Sequence, residues 1–149
     1  MIVRRAKTED MPAVMALVNR VFETEQGIPP ALNPVPEDKR PIWWCAEQDG
    51  AVVGTVAAFE EDGMCHMGRI TIAPALRGHG LGAKLLRCTL RDLFAQGTDS
   101  VFLEARDTTV HILQKFGAKI AGEPTSFYIG NVTPIVLRRE DFLRFDRQS

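Results

Sequence analysis

The sequence has no long hydrophobic run. No segment approaches the roughly 20 consecutive apolar residues that a membrane-spanning helix needs. The apolar stretch that opens the chain is three residues long, too short for the core of a signal peptide. A transmembrane protein and a secreted precursor are therefore disfavoured, and we expect a cytoplasmic protein without a membrane partner.

Cysteine and unbalanced charge are also scarce. The three cysteines are odd in number and form no close pair, which argues against a disulfide framework or a zinc site. The histidines and acids show no metal-ligand spacing. With 18 basic and 19 acidic residues, the net charge is -1. Such a balance gives no electrostatic reason to expect nucleic acid as a partner. We therefore predict no metal site and no nucleic-acid binding.

What is present fits one globular domain over residues 1–149, with 45% apolar and 25% charged residues. The order of predicted elements is that of a mixed α/β fold with an antiparallel meander and one central βαβ unit. Apolar spacing and turn residues predict a strand over 2–5, a helix from Thr8 or Asp10 to about Phe22, strands over 43–47, 51–59 and 64–72, a helix over 80–95, a strand over 100–105, a helix over 108–116, and strands near 118–122 and 133–138.

The proline-rich segment, residues 28–41, holds five of the nine prolines. Proline fixes φ and donates no backbone hydrogen bond, so we predict a loop or at most a broken helix. Loops of this length inside a compact domain are often functional. The alternative is an ordered connector without a further role.

Three glycines, Gly78, Gly80 and Gly82, lie in the segment ITIAPALRGHGLGAKLL, residues 70–86, where a predicted strand gives way to a helix. The first turn of a helix has unpaired N–H groups at the positive end of the macrodipole. Glycine lets a phosphate approach the backbone closely. The segment therefore predicts an anion site suited to a pyrophosphate.

Two common phosphate-binding motifs do not fit this segment. A Walker loop needs Gly-Lys followed by Ser or Thr, whereas Gly82 is followed by Ala83 and Lys84. A Rossmann fingerprint needs G-x-G-x-x-G, whereas the spacing here is G-x-G-x-G, although Glu104 falls near the distance of the expected acidic residue. A Rossmann domain also carries its loop after the first strand, not after a helix and a meander.

Arg77, Gly80 and Gly82 match the pattern R-x-x-G-x-G, and with it the chain resembles the GNAT superfamily of N-acyltransferases. The resemblance includes the strand ITIAP, the helix LGAKLL and the short helix ending in QKFGAKI, and the order of elements extends it over most of the chain. The stretch VFETEQG, residues 21–27, is similar to the ElaA-like branch. The resemblance implies a mostly antiparallel sheet with helices on both faces and the use of acetyl-CoA.

The resemblance also implies which residues hold acetyl-CoA. The amides of the glycine loop would bind the pyrophosphate, and backbone groups of the preceding strand would bind the pantetheine arm and the thioester carbonyl. An N–H facing that carbonyl would stabilise the oxyanion that forms on attack. The candidate cofactor-binding residues are Ile70, Thr71, Ile72, Arg77, Gly78, His79, Gly80, Leu81, Gly82 and Ala83.

Two residues are candidates for the general base that takes the proton of the acceptor amine. Glu104 is the first, because it ends the strand that opens beside the acyl site in this topology; alternatively it is solvated or paired with Arg106. His66 is the second. On a regular strand it shares a face with Ile70 and Ile72, away from the acceptor, and a β-bulge would reverse this.

The general acid is where the sequence departs from the family. Many members carry tyrosine four residues before the glycine that ends the last helix of the resemblance, whereas Leu113 precedes Gly117 here. The thiolate must then leave unassisted, take a proton from water or find another donor. Tyr128, the only tyrosine of the chain, is a candidate donor, and a core or surface position is its alternative.

These observations predict an N-acetyltransferase that acts on a primary amine of a small molecule or a peptide. We expect the proline-rich segment to form a wall of the acceptor site, Glu25 to touch the acceptor, and one of Trp43 and Trp44 to line the pocket. The alternatives are a longer acyl-CoA or homoserine-lactone-type chemistry, and a non-catalytic sensor of acyl-CoA. The sequence leaves the oligomeric state open, and a homodimer is compatible with it.

Overall fold

The computed structural model describes residues 1–148. The strands and helices are β1 (Ile2–Arg5), α1 (Met11–Gln26), β2 (Ile42–Gln48), β3 (Ala51–Glu61), β4 (Met64–Ile72), α2 (Leu81–Ala95), β5 (Ser100–Ala105), α3 (Asp107–Lys115), β6 (Lys119–Ile120), β7 (Thr125–Ser126), β8 (Asn131–Arg138) and α4 (Arg139–Arg147). The described residues contain no helix that is long and apolar enough to cross a membrane.

The strands form one twisted sheet in the order β1-β2-β3-β4-β5-β8-β6, and β7 pairs with β8. The pair β4 and β5 is parallel, and the other pairs are antiparallel. A parallel neighbour requires a crossover, which α2 supplies. The predicted mixed α/β fold with a mostly antiparallel sheet and one βαβ unit is confirmed.

Each face of the sheet carries its own core. On one face, α1 packs against β2 and β3 through Val14, Val18 and Trp43. On the other, α2, α3 and α4 cover a larger core that includes Trp44 and Leu85. Both tryptophans are buried in these cores and neither lines the cavity described below, so the expectation that one of them lines an acceptor pocket is wrong.

Most element ends lie within two residues of their predicted positions. The two-residue strand β7 was not predicted, and two differences are larger. Helix α1 extends one turn beyond Phe22, to Gln26, and ends at Gly27, whose φ of 68° is left-handed. The helix α4 was not predicted, because it has only nine residues and its short apolar face, which includes Phe142, lies within a strongly charged segment. Phe142 is fully buried, and its ring lies 5.5 Å from that of Phe94.

Phe142→Ala should therefore detach α4 from the core. Loss of a fully buried aromatic ring costs about 3–5 kcal/mol in the free energy of unfolding. Urea unfolding measures the loss, with Leu143→Ala, at a half-buried position of the same helix, as the matched control. Equal losses for the two variants would contradict this account of how α4 is held.

Candidate active site

Strand β4 contains a β-bulge at Arg69. Thr55 lies opposite Thr71 and Ala57 lies opposite Gly68, so β4 has one more residue than β3 over this stretch. Arg69 has a φ of 50°, a conformation that costs a non-glycine residue about 1–3 kcal/mol. The Thr55 hydroxyl donates to the Arg69 carbonyl over 2.7 Å, which holds the bulge from inside the sheet.

The bulge decides which face His66 occupies. His66 lies opposite Phe59, on the α1 face, and the two rings stack with centroids 5.8 Å apart. Ile70 and Ile72 instead pack against the core under α2. The regular-strand alternative, in which His66 shares a face with them, is therefore wrong, and the alternative of a β-bulge is confirmed. The extra residue at Arg69 reverses the alternation of side chains.

A cavity of about 530 Å³ opens on the α1 face, beside the parallel strands. β4 and β5 pair where His66 lies opposite Phe102, and no register pair follows toward their carboxyl ends among the described residues. A crevice at the carboxyl ends of parallel strands is where α/β proteins commonly bind ligands. Residues of α1, the proline-rich segment, β3 and the segment 127–135 complete the walls.

The cavity wall combines apolar and aromatic residues with several polar and charged side chains. Phe22, Phe59, Phe102 and Phe127 contribute rings. The Nε2 atom of His66 is buried and has no hydrogen-bond partner in the described part of the chain. Buried polar atoms normally have a partner, so this atom is poised for a ligand or a water molecule.

Glu104 lies on the same face of β5 as Phe102 and also lines the cavity. It is exposed, and no ion pair within residues 1–148 includes it. Because Glu104 is two residues beyond Phe102, which faces His66, the two candidate bases are offset by roughly 7 Å along the strands. The structure thus brings both to one cavity.

The glycine loop opens at the start of α2, near the same end of β4. Gly78 and Gly80 have φ values of 86° and 74°, which favour glycine. Lys84 N–H donates to the Gly80 carbonyl and makes the first helical bond. The N–H groups from Gly78 to Ala83 have no acceptor in the described residues. They form a run of free donors at the positive end of a helix, where a negative charge is favoured.

The backbone of Ile72 faces the gap beside β4. Ala73 N–H donates to the Val53 carbonyl over 2.8 Å, so the N–H and carbonyl of Ile72 point away from β3. That carbonyl accepts from Arg77 Nε over 3.1 Å. Thr71, by contrast, is buried, with its hydroxyl 2.6 Å from that of Thr55.

Arg77 is fixed by Glu25 at the end of α1. Its two Nη atoms bind the two carboxylate oxygens, with Nη2 to Oε2 at 2.8 Å. The guanidinium lowers the pKa of Glu25. Glu25 does not line the cavity, so its side chain fastens the glycine loop to α1 instead of extending toward an acceptor.

The neighbouring residue, Gln26, fastens the other side of the cleft. Arg106 Nε donates to Gln26 Oε1 over 2.9 Å, and its Nη atoms donate to the carbonyls of Ile129 and Phe127. From the sequence, Arg106 was predicted only as an alternative partner of Glu104, and its contact with Gln26 was not predicted. The adjacent polar residues Glu25 and Gln26 at the end of α1 were the one signal in the sequence that arginine partners lie on both sides of the helix end.

Arg69 fastens the proline-rich segment to β4. Its Nε and Nη2 atoms donate to the carbonyls of Asn33 and Leu32 over 2.9 and 3.2 Å. Its guanidinium also lies over the Phe59 ring, 5.3 Å from the centroid, and burial lowers its pKa. The proline-rich segment, which contains two short 3-10 turns as its composition predicts, is thereby held as a wall of the cavity.

The remaining predicted positions lie outside the cavity. Leu113, where many family members carry tyrosine, is 0% exposed in the core under α3. Tyr128 is half-exposed beside Phe127 and does not line the cavity. His79 is exposed in the glycine loop. Lys84, in the first turn of α2, donates to the Met1 carbonyl.

The sequence matches the model of the acetyltransferase (GNAT) family over residues 11–118. Comparison with the curated proteins gives no significant match.

Several solved structures share the fold. Escherichia coli ElaA is 20% identical, with 91% of this chain and 97% of that chain covered and a TM-score of 0.78. The protein yncA from Salmonella typhimurium, solved with its cofactor acetyl-CoA, is 19% identical, with 93% of each chain covered and a TM-score of 0.72. An acyl-CoA N-acyltransferase from Pseudomonas aeruginosa is 20% identical, with 93% and 97% covered and a TM-score of 0.73. At these identities the likeness concerns the fold, and ElaA is among the relatives as predicted.

The bond between Glu25 and Arg77 should show in the pH dependence of stability. Because the folded-state pKa of Glu25 is lowered, the stabilisation is present at neutral pH and lost as the pH falls through the ordinary carboxyl range toward the folded value. The pair is partly exposed, so we expect less than about 1 kcal/mol. Thermal unfolding at pH 7 and pH 4 should show a smaller acid-induced loss in Glu25→Gln than in the wild type. An equal loss would mean that the pair does not form in solution.

Proposed function

The chain belongs to the GNAT acetyltransferase family, and on that premise we propose that it transfers an acetyl group from acetyl-CoA to a primary amine of a small molecule or peptide by direct attack. The observation that carries the proposal is the run of free N–H groups from Gly78 to Ala83, which opens next to the gap between β4 and β5. The cleft has free N–H donors in one part and a cavity with many apolar and aromatic residues in the adjoining part. This arrangement suits a ligand that has a pyrophosphate at one end and an acyl group at the other.

The glycine loop fits the pyrophosphate of acetyl-CoA. Gly78 and Gly80 are explained by their positive φ, but Gly82 is not. A Cβ atom at Gly82 would meet the Ile112 side chain at 3.5 Å, an ordinary contact. The folded chain therefore does not itself require glycine there, and the close approach of a phosphate does. In this assignment Ile70, Thr71 and Ile72 follow the pantetheine arm, with the N–H of Ile72 directed to the acyl side.

The proposed acetyl transfer proceeds in one displacement at the thioester. The neutral amine attacks the thioester carbon, the C–N bond forms, the C–S bond breaks, and the amine proton passes to a base. A backbone N–H of β4 stabilises the oxyanion. Because Leu113 is buried and apolar, the leaving thiolate takes its proton from water in this account.

Glu104 and His66 remain the two candidates for the base. Glu104 is exposed and unpaired within the described residues, so it can hold an ammonium group and accept its proton. His66 also faces the cavity, because the bulge at Arg69 turns it to the α1 face. Its buried Nε2 can accept a hydrogen bond if it is the unprotonated nitrogen.

The alternative from another class is a sensor that binds an acyl-CoA without turnover. The observation in its favour is Leu113, which cannot donate a proton. An acyl chain longer than acetyl, or homoserine-lactone-type chemistry, is the alternative among enzymes. Release of free CoA thiol in the presence of amines separates the enzymes from the sensor, and the acyl-CoA that supports the release identifies the donor.

Acetyl-CoA should raise the melting temperature, because a ligand that binds only the folded state stabilises it by about 2.7 kcal/mol at 100 times its Kd. Gly80→Asp places a carboxylate at the pyrophosphate and should abolish the shift. Gly63→Asp is the matched control, because Gly63 also has a positive φ but lies in the turn between β3 and β4. Stabilisation by NADH or ATP and not by CoA would refute the cofactor assignment.

The two base candidates can be separated by steady-state kinetics. If Glu104 is the base, Glu104→Gln should lower kcat/KM by roughly 100–10,000-fold while the affinity for acetyl-CoA stays the same. The acidic limb of its pH–rate profile should also flatten. A normal rate with an unchanged acidic limb excludes Glu104, and His66→Gln then makes the same test of His66. If both variants are nearly normal, the amine loses its proton to water.

A further inference from the structure

The cavity contains positive charge that the protein does not neutralise. Lys39 and Glu61 pair over 2.6 Å and cancel each other. Arg69 and Arg106 form no ion pair at contact distance in residues 1–148, and their hydrogen bonds go to uncharged oxygens. The charge of Glu61 acts on Arg69, but Glu61 is already paired with Lys39. Glu104 is the only unpaired carboxylate among the described residues that line the cavity, so the two arginines leave an excess of positive charge there.

The two arginines differ in how many N–H donors they have left. A guanidinium has five. Arg106 uses four, toward Gln26, Phe127, Ile129 and Asn131. It therefore acts mainly as a structural clamp.

Arg69 uses only two of its five donors, and both lie on the same edge of the planar guanidinium. Nε and Nη2 face the carbonyls of the proline-rich segment. The end of the fork, where Nη1 and Nη2 each offer an N–H, has no acceptor among the described residues. This pair of parallel donors has the geometry that binds a carboxylate with two hydrogen bonds. The guanidinium plane is already oriented by Phe59 beneath it, so little side-chain freedom is lost on binding.

We propose that Arg69 is the specificity-determining residue for the acceptor, and that the acceptor is a free amino acid with an apolar side chain, bound with its carboxylate on Arg69 and its amine directed to the Glu104 side of the cavity. The assignment rests on the proposed acetyl transfer and makes its substrate class definite. The aromatic rings of the cavity wall, which include Phe22 and Phe102, fit an apolar side chain. A peptide has no carboxylate next to its amino group, so the same geometry disfavours peptides.

The test compares phenylalanine, phenylalaninamide and phenethylamine as acceptors at saturating acetyl-CoA. The amine of the amide is the less basic, so protonation cannot favour the acid. A charge-assisted bidentate contact should favour phenylalanine by roughly 10- to 100-fold in kcat/KM. Arg69→Met should remove this preference, mainly through the KM for phenylalanine. Because Arg69 also holds the proline-rich segment, kcat/KM for the amide should fall as well, but that for phenylalanine should fall roughly 10- to 100-fold further. Arg69→Lys, which keeps the charge without the fork, should restore part of the preference.

The matched control is Asn19→Ala. Asn33 Nδ2 donates to Asn19 Oδ1 over 2.8 Å, so this variant loosens the proline-rich segment without changing the charge of the cavity. It should alter both acceptors alike. If Arg69→Met also lowers both equally, or if the wild type uses the amide or phenethylamine as well as phenylalanine, the carboxylate site is refuted while acetyl transfer stands.

If no amine is acetylated, the role of Arg69 can still be tested by measuring the binding of the expected product, N-acetylphenylalanine. The absence of acetylation would refute the proposed function. With CoA present, N-acetylphenylalanine should still raise the melting temperature of the wild type and not that of Arg69→Met, and N-acetylphenylalaninamide should have no effect on either. Stabilisation by both compounds, or by neither, overturns the role assigned to Arg69.

Discussion

The β-bulge at Arg69 is the constraint on which the rest of the site depends. One extra residue in β4 turns His66 to the α1 face while Ile70 and Ile72 stay on the α2 face. It also places the side chain of Arg69 at the cavity, where it secures the proline-rich segment. The strained backbone is held by the Thr55 hydroxyl from inside the sheet, and such strain commonly persists where function needs an unusual arrangement.

Two adjacent residues of α1, Glu25 and Gln26, bind the two sides of the cleft between β4 and β5. Glu25 binds Arg77 in the glycine loop, and Gln26 binds Arg106 after β5. Because β4 and β5 lose their mutual pairing toward these ends, contacts from α1 set the width of the gap instead of ladder hydrogen bonds. The helix end thus links the proposed pyrophosphate site to the acceptor cavity.

The sequence predicts the fold well, because its signals are local. The strands 64–72 and 100–105 were predicted with the bounds that the structure has, and the glycine loop was placed at the start of α2. The sequence left both orientations of His66 open, because it contains no signal for the β-bulge that decides between them. A left-handed bulge position is usually glycine, and here it is Arg69. Arg77, the partner of Glu25, lies 52 positions away along the chain, and Gln26, a partner of Arg106, lies 80 positions away. Such pairings follow from the packing of distant segments, which one sequence does not reveal.

The central claim is that acetyl-CoA lies across this cleft, with its pyrophosphate on the glycine loop and its acyl group between β4 and β5. A crystal structure with acetyl-CoA tests it most directly. We expect phosphate oxygens within hydrogen-bond distance of the N–H groups of residues 78–83, and the thioester carbonyl next to Ile70 or Ile72, facing the cavity that holds Glu104 and His66. Acetyl-CoA bound elsewhere, or with its phosphates away from the start of α2, would contradict the account.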